Sequence, residues 1–455
     1  MTTSVLLLLL SFWYLLAVID SHVLKEILAW KALDWKFKSK EDRESAIENE
    51  RFVKGNAMAT QIEYLHDHRI AITTPRFKEG IPATLSTIRE SQIGCGKDGP
   101  QSPLLRPYPN WKWNNGDMAC DGLTSVTAAK ADMCGRLWVL DSGVVDMMNP
   151  YRTTVCSTKI VAFDLASDDA IREYTFGDYI LKSNSILINL AVDVITCEQV
   201  YLYSADAIEF GLIVTDTASG DSWRIEHKLF FPYPSWGTLV SNRQHLDLMM
   251  GVTSLALQPD YNPDSRKLFF HSLAGAKENF VATRILRNYS LASSMPQEFY
   301  FSNGEATSQC PNAIFDRRGI LFFSLVSSGA LVCWNPATEH VPENIIPIAQ
   351  NPETLKFITG LSVDIHPFEV DHLGILWTLS TSFIEYMRDA MNPDMVNFRI
   401  FVANTRDLSH GTPCEYAQPY GGPPPQYSGV PPPMGHYSPH LLPGPYPPSY
   451  QHLGG

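Results

Sequence analysis

Six short stretches of similar character recur along this 455-residue chain, and their spacing constrains the fold more than any other feature. They are "RIAITTP" from Arg69, "RLWVLDSG" from Arg136, "QVYLYSAD" from Gln199, "KLFFHSLA" from Lys267, "GILFFSLV" from Gly319 and "GILWTLST" from Gly374, with 52 to 68 residues between successive starts. Each is rich in β-branched and aromatic residues, as strands are. Before each lies a similar lead-in, such as "DGLTSVTAAKADMCG" or "GVTSLALQPDYNPDSR", that reads as a strand and a turn bearing Asp, Gly, Asn or Pro. After each comes a third strand candidate: "PATLSTI", "STKIVAFDL", "FGLIVTDTASG", "FVATRIL", "GALVCWNP" and "NFRIFVA". The unit is therefore an antiparallel meander of at least three strands, with a fourth readable in places such as "DSWRIEH". Six such sheets fall within the blade range of a β-propeller, whose radial closure protects sheet edges. The expected fold is all-β, a six-bladed propeller over residues 28–414, with "LAWKALDWKF" from Leu28 closing the last blade. The long period argues against a pair of β-sandwiches. Only "SKEDRESAIENERF" and "SFIEYMRDAM" read as helical, and both are short.

The apolar run Val5–Ile19 is too short to span a bilayer comfortably and suits the core of a signal peptide over residues 1–21. The expected location is extracellular, with no membrane association. A net charge of −13 argues against a nucleic-acid surface. The eight cysteines would then meet an oxidising route, where disulfides are the default, and none forms a CxxC pair of the kind zinc sites use. Asn288-Tyr289-Ser290 is a glycosylation sequon.

"RFKEGIPATLSTI", "CGRLWVLDSG", "FGLIVTDTASGDSWRIEH", "TRILRN", "ALVCWNP" and "NFRIF", taken together and in this order, resemble the yellow / major royal jelly protein family of insects. The resemblance runs from about residue 30 to 414 and implies a secreted six-bladed propeller. It also implies a range of activities: melanin pigmentation, conversion of dopachrome, carriage of biogenic amines, nutrition, or hardening of cuticle or eggshell. On a propeller of this kind Cys120 and Cys156 fall at one end of a blade and are expected to pair. Cys134 and Cys197 occupy equivalent turns of neighbouring blades at the other end, and Cys333 and Cys414 would tie the fifth blade to the segment after the sixth. Cys95 and Cys310 are left over, additional to the family's usual six.

The natural pocket of a propeller is the mouth of its axis. Asp121, Asp141, Asn189, Asp206 and Asn312 fall where inner strands begin or second strands end, so they are the candidate ligand-binding residues. Carboxylates there would suit a protonated amine, and nearby rings a catechol or indole. The competing reading is that Asp141 and Asp206 cap backbone donors in tight loops. No GxSxG, HExxH or Walker motif occurs, and neither a metal nor a cofactor is indicated. His271 and His366 are the weak candidates for acid–base work on a quinone, while "HDH" at 66–68 reads as a solvated turn.

Residues 416–455 hold twelve prolines and six tyrosines and no charged side chain. Such a composition favours extended polyproline conformations and cannot make a core, so 415–455 is expected to be a disordered tail. Tyr416, Tyr420, Tyr427, Tyr437, Tyr446 and Tyr450 are candidates for cross-linking to extracellular matrix components.

Overall fold

The computed structural model describes residues 24–415, apart from 94, 97–98, 115–119, 148, 150–151, 261 and 365–373. The proposed signal peptide, His366 and the tyrosine-bearing tail lie outside the described residues. Six four-stranded antiparallel sheets, blades I to VI, succeed one another along the chain. Their inner strands are Gln61–Leu65, Val126–Ala131, Leu187–Val194, Val252–Leu257, Ala313–Phe315 and Ile358–Val363. Each inner strand touches the next around the axis, and the sixth touches the first. The second strands are the six recurrent stretches that define the sequence period.

Blade II shows why those stretches read as continuous apolar runs. Along Arg136–Asp141, Leu137 and Val139 pack into the core wedge shared with blade I, whereas Trp138 and Leu140 pack into the wedge shared with blade III. Neighbouring residues on a strand face opposite ways, and here both faces are covered, so alternation gives way to unbroken hydrophobicity. The same holds around the ring. The apolar interior is six wedges, one at each junction between blades, rather than a single central core.

Turn chemistry sets the hairpins. Asp132 accepts from the Cys134 and Arg136 amides and from the Trp138 indole, fixing the turn between inner and second strands. Asp316 does the same for blade V through the Arg318 and Ile320 amides. Gly143 has φ +68°, and a β-carbon there would run into the carbonyl of Cys156. The glycine of "RLWVLDSG" is thus required twice, by backbone conformation and by the close approach of a second chain segment.

Closure comes from the amino-terminal side. Lys25–Trp30 pairs antiparallel with Phe398–Asn404 as the outer strand of blade VI. This strand starts three residues before the expected Leu28, and Trp35 leaves it to bridge Leu105 instead. A second difference lies in "FVATRIL". Its strand ends at Ala282, and Thr283–Leu286 is helical, with Ile285 and Leu286 buried in the wedge between blades III and IV. A short apolar run cannot by itself separate strand from buried helix.

Three disulfides join Cys120 to Cys156, Cys134 to Cys197 and Cys333 to Cys414, the pairs expected for a propeller. Cys310 is a free, buried thiol. No helix among the described residues is long and apolar enough to cross a membrane.

Trp30 is 3% exposed and sits in the wedge between blades VI and I. Trp30→Ala is expected to lower unfolding free energy by about 3–5 kcal/mol, the usual cost of removing a large buried ring. A guanidinium chloride titration should show the midpoint falling accordingly; an unchanged midpoint would mean that this strand does not hold the ring shut.

Candidate functional site

The inner strands start at one end of the axis, and four of them carry a β-bulge near that start. The register shifts around Thr127, Ile188, Thr253 and Thr359, leaving each of these residues without a partner on the second strand. A bulge re-aims the side chain of its extra residue. All four face one axial pocket, as do Gln61, Asn189 and Asn312. Taken blade by blade, each inner strand, or in blade V the residue just before it, therefore supplies a polar residue to a girdle around the axis.

The girdle also stitches the ring. Thr127 Oγ1 donates to the Leu187 carbonyl (2.7 Å) and Asn189 Nδ2 to that of Thr253 (2.7 Å). Asn312 Nδ2 donates to Thr359 (3.0 Å), and Thr359 Oγ1 to Ala59 (3.2 Å). Four of the six junctions are crossed this way. Gln61 Oε1 and Thr253 Oγ1 are buried at the pocket and make no hydrogen bond within the protein.

Around the girdle the walls are apolar: Phe77, Met147, Ile208, Leu248, Phe357 and Phe383 among them. The pocket holds about 970 Å³ of space not filled by atoms, part of it open to solvent. Two hairpins build its rim. Val144–Val145 pairs with Thr153–Thr154, and the loop between them carries Met147 and Arg152. The Cys120–Cys156 bridge holds this hairpin at the mouth of blade II. The second hairpin, Thr238–Ser241 with Gln244–Asp247, leads into Leu248 and Met250. It is strapped across the ring: Gln309 Nε2 of blade V donates to the Trp236 and Thr238 carbonyls, and Ser241 Oγ to the Lys356 carbonyl beside blade VI. Leu239 is buried beneath it against Leu273, Val326 and Phe357.

Of the five candidate ligand residues, Asn189 and Asn312 line the pocket. The three carboxylates do not. Asp141 is fully buried and accepts from the Thr124, Ser125 and Gly143 amides, at 2.7, 2.7 and 3.1 Å. Burial pushes its carboxyl up from the ordinary range, and those amide donors act against the rise. Asp206 plays the same part in blade III, accepting from Ser185 Oγ and the Ile186 amide and pairing with Arg224 at 2.8 Å. Asp121 is exposed and outside the pocket lining. An Asp at the mouth end of a second strand thus ties down the start of its neighbouring inner strand.

His271 is not at the mouth either. It is 1% exposed, 3.0 Å from Glu278, and its ring lies 6.4 Å from that of His340 in the region between blades IV and V. No bound molecule could reach it without opening that junction. Cys310 lies two residues from the pocket's Asn312, but burial, with Glu278 nearby, pushes its thiol well up, so it is a poor nucleophile. No cluster of three or more metal-ligating side chains occurs among the described residues.

The bulge threonines, Arg152 and the two rim hairpins escaped sequence reasoning. A signal for the threonines exists: aligning "VTAAKA", "LINLAV", "VTSLAL" and "ITGLSV" puts Thr127, Thr253 and Thr359 at one register, with Ile188 at that place in blade III. Nothing comparable marks Arg152, which sits in a loop peculiar to blade II.

Fold and pocket define a class: a closed six-bladed propeller with an axial pocket that is polar at the girdle and largely apolar around it. Within that class the chain belongs to the major royal jelly protein family, whose model matches residues 124–414. It is 29% identical to the protein yellow of Drosophila subobscura over 434 residues, 91% of this chain and 73% of that protein. Protein yellow of Drosophila guanche is likewise 29% identical over 463 residues, 95% of this chain and 78% of its own. A virginiamycin B lyase from Staphylococcus aureus superposes with a TM-score of 0.38 and 10% identity, over 71% of this chain and 78% of its own, a likeness too distant to bear on function.

One prediction concerns the buried histidines. Burial, with His271 alongside, holds His340 at about 3, against an ordinary 6.5. Between those values the unfolded chain binds the extra proton, so His340 contributes full stability above pH 6.5 and loses it as pH falls. The loss runs at about 1.4 kcal/mol per pH unit. Urea titrations from pH 7.5 to 4 should show this slope, and His340→Leu should flatten it by most of that amount; an unaltered slope would place the acid sensitivity elsewhere.

Proposed function

We propose that this protein is secreted and acts in the extracellular matrix, in melanin pigmentation or in the hardening of cuticle or eggshell. Its propeller serves there as a binding module for a small ring-bearing molecule. The observation that carries this reading is the make-up of the axial pocket. Its described lining is aromatic and aliphatic with a girdle of Thr, Asn and Gln, and includes no His, Cys, Tyr or carboxylate. A tautomerase acting on dopachrome needs an acid and a base within reach of one substrate, so this lining favours binding over catalysis. A carrier of protonated amines is also less favoured, since such a ligand would meet neutral oxygens and the Arg152 guanidinium rather than a carboxylate.

Secretion is supported by the Val5–Ile19 run and by three disulfides, which persist in oxidising compartments. Asn288 is exposed, where a glycan could be attached. A matrix role is supported by the composition of the tail, whose six tyrosines and lack of charge suit cross-linking to matrix components.

Two measurements test the reading. The purified mature chain should enhance the fluorescence of the neutral probe N-phenyl-1-naphthylamine, and Ile188→Trp, which fills the pocket from a bulge position, should abolish the enhancement without lowering the melting temperature. Undiminished binding in that variant would move the site elsewhere, and acceleration of dopachrome loss by the wild type would restore the enzymatic reading. Deleting residues 416–455 should make the protein extractable from matrix under mild conditions; unchanged insolubility would count against cross-linking through the tail.

A further inference from the structure

Arg152 is the charged side chain of the described pocket lining. It is half-buried, and its guanidinium reaches Asn184, donating to the backbone carbonyl at 3.3 Å and to the side-chain oxygen at 3.4 Å. Both contacts are long and neutral. Elsewhere in the fold, comparable arginines are neutralised at short range: Arg136 by Asp132, Arg224 by Asp206, Arg266 by Asp193 and Arg318 by Asp316, at 2.6 to 2.8 Å. Arg76, buried beside the same mouth, spends its donors on carbonyls, among them those of Ile81 and Asn114. Among the described lining residues Arg152 is the one cation, and no carboxylate is paired with it there. A guanidinium never loses its charge in a protein, and its fork of donors matches the oxygens of an acidic group.

We propose that the axial pocket selects a ring-bearing organic anion, with its acidic group on Arg152 and its ring among Phe77, Phe357 and Phe383. The proposal rests on the pocket being a binding site and adds the charge of its ligand. The protein's net charge of −13 opposes approach of an anion. That distant field is screened beyond about 8 Å at physiological ionic strength, whereas a direct contact with Arg152 is not. Local contact therefore decides the selectivity, and a charge-assisted hydrogen bond from a guanidinium is worth roughly tenfold or more in affinity.

Two probes on one scaffold separate the claims: N-phenyl-1-naphthylamine, which is neutral, and 8-anilinonaphthalene-1-sulfonate, the same framework bearing a sulfonate. The sulfonate is expected to bind the folded mature chain at least tenfold more tightly. Arg152→Gln should erase that difference by weakening binding of the sulfonate, Arg152→Lys should keep part of it, and Arg152→Glu should reverse the order. Melting temperatures and displacement by Ile188→Trp confirm that each variant is folded and that the probes share the pocket. Equal binding of the two probes by the wild type, or an undiminished preference in Arg152→Gln, overturns the anion proposal while the pocket stands. Failure of both probes to bind removes the pocket reading and this inference with it.

Discussion

The structure depends on the closing of a ring by a strand from its far end. Each blade buries both faces of its sheet, so each needs two neighbours, and an open array would leave two wedges bare. The wedge between blades VI and I is the one that sequence order cannot supply. It is completed by Lys25–Trp30 lying on Phe398–Asn404, with the Asn397 side chain reaching back to the Lys31 carbonyl across a separation of 366 residues. Until that contact forms, Trp30, Ile62, Trp377 and Phe398 share an unfinished interface. On the carboxy-terminal side, the Cys333–Cys414 bridge ties the segment after blade VI to blade V, removing some of the freedom the open chain would otherwise have.

Closure also makes the pocket. Six inner strands converge on one axis because the ring leaves them no other place, and their starting residues must either fill it or line it. Bulges settle the matter by turning Thr127, Ile188, Thr253 and Thr359 toward the axis. Three of these four are threonines, able to present a methyl to a ligand while their hydroxyls serve neighbouring backbones, as Thr127 and Thr359 do. Pocket shape and ring integrity therefore share atoms. A change that loosens one blade junction should be felt as a change in the girdle, because Asn189 and Asn312 each hold the carbonyl of a residue that itself lines the pocket.

Much of this was legible in the sequence. The six recurrent stretches gave blade number directly, since a second strand with both faces buried reads as a largely apolar run. The cysteine pairs followed from which end of a blade each residue occupies. What did not follow was distance from the axis. A strand period says which face a residue takes, not whether its oxygen will serve a ligand or a loop. Asp141 and Asp206 stand at the right end of the right strands, yet each is drawn under the mouth by amides that would otherwise be buried unpaired. His271 likewise sits just past an apolar core in sequence, but its side of the strand is that of Phe269, toward blade V. Bulges are invisible to a reading by alternation because they break it by a single residue.

The division of labour between ring and rim has a physical basis. Thr127, Asn189, Asn312 and Thr359 are constrained by cross-blade hydrogen bonds and cannot change chemistry without disturbing a junction. The rim hairpins are held differently: one by a disulfide at its base, the other by side-chain donors from blades V and VI. Such tethers fix where a loop stands while leaving most of its side chains free of structural duty. Met147, Arg152, Leu248 and Met250 are the rim residues that line the pocket. A closed propeller can therefore keep one scaffold and alter the charge and shape of its pocket through two short loops. In this chain the loop of blade II has placed a guanidinium where the scaffold itself offers only hydroxyls, amides and hydrocarbon.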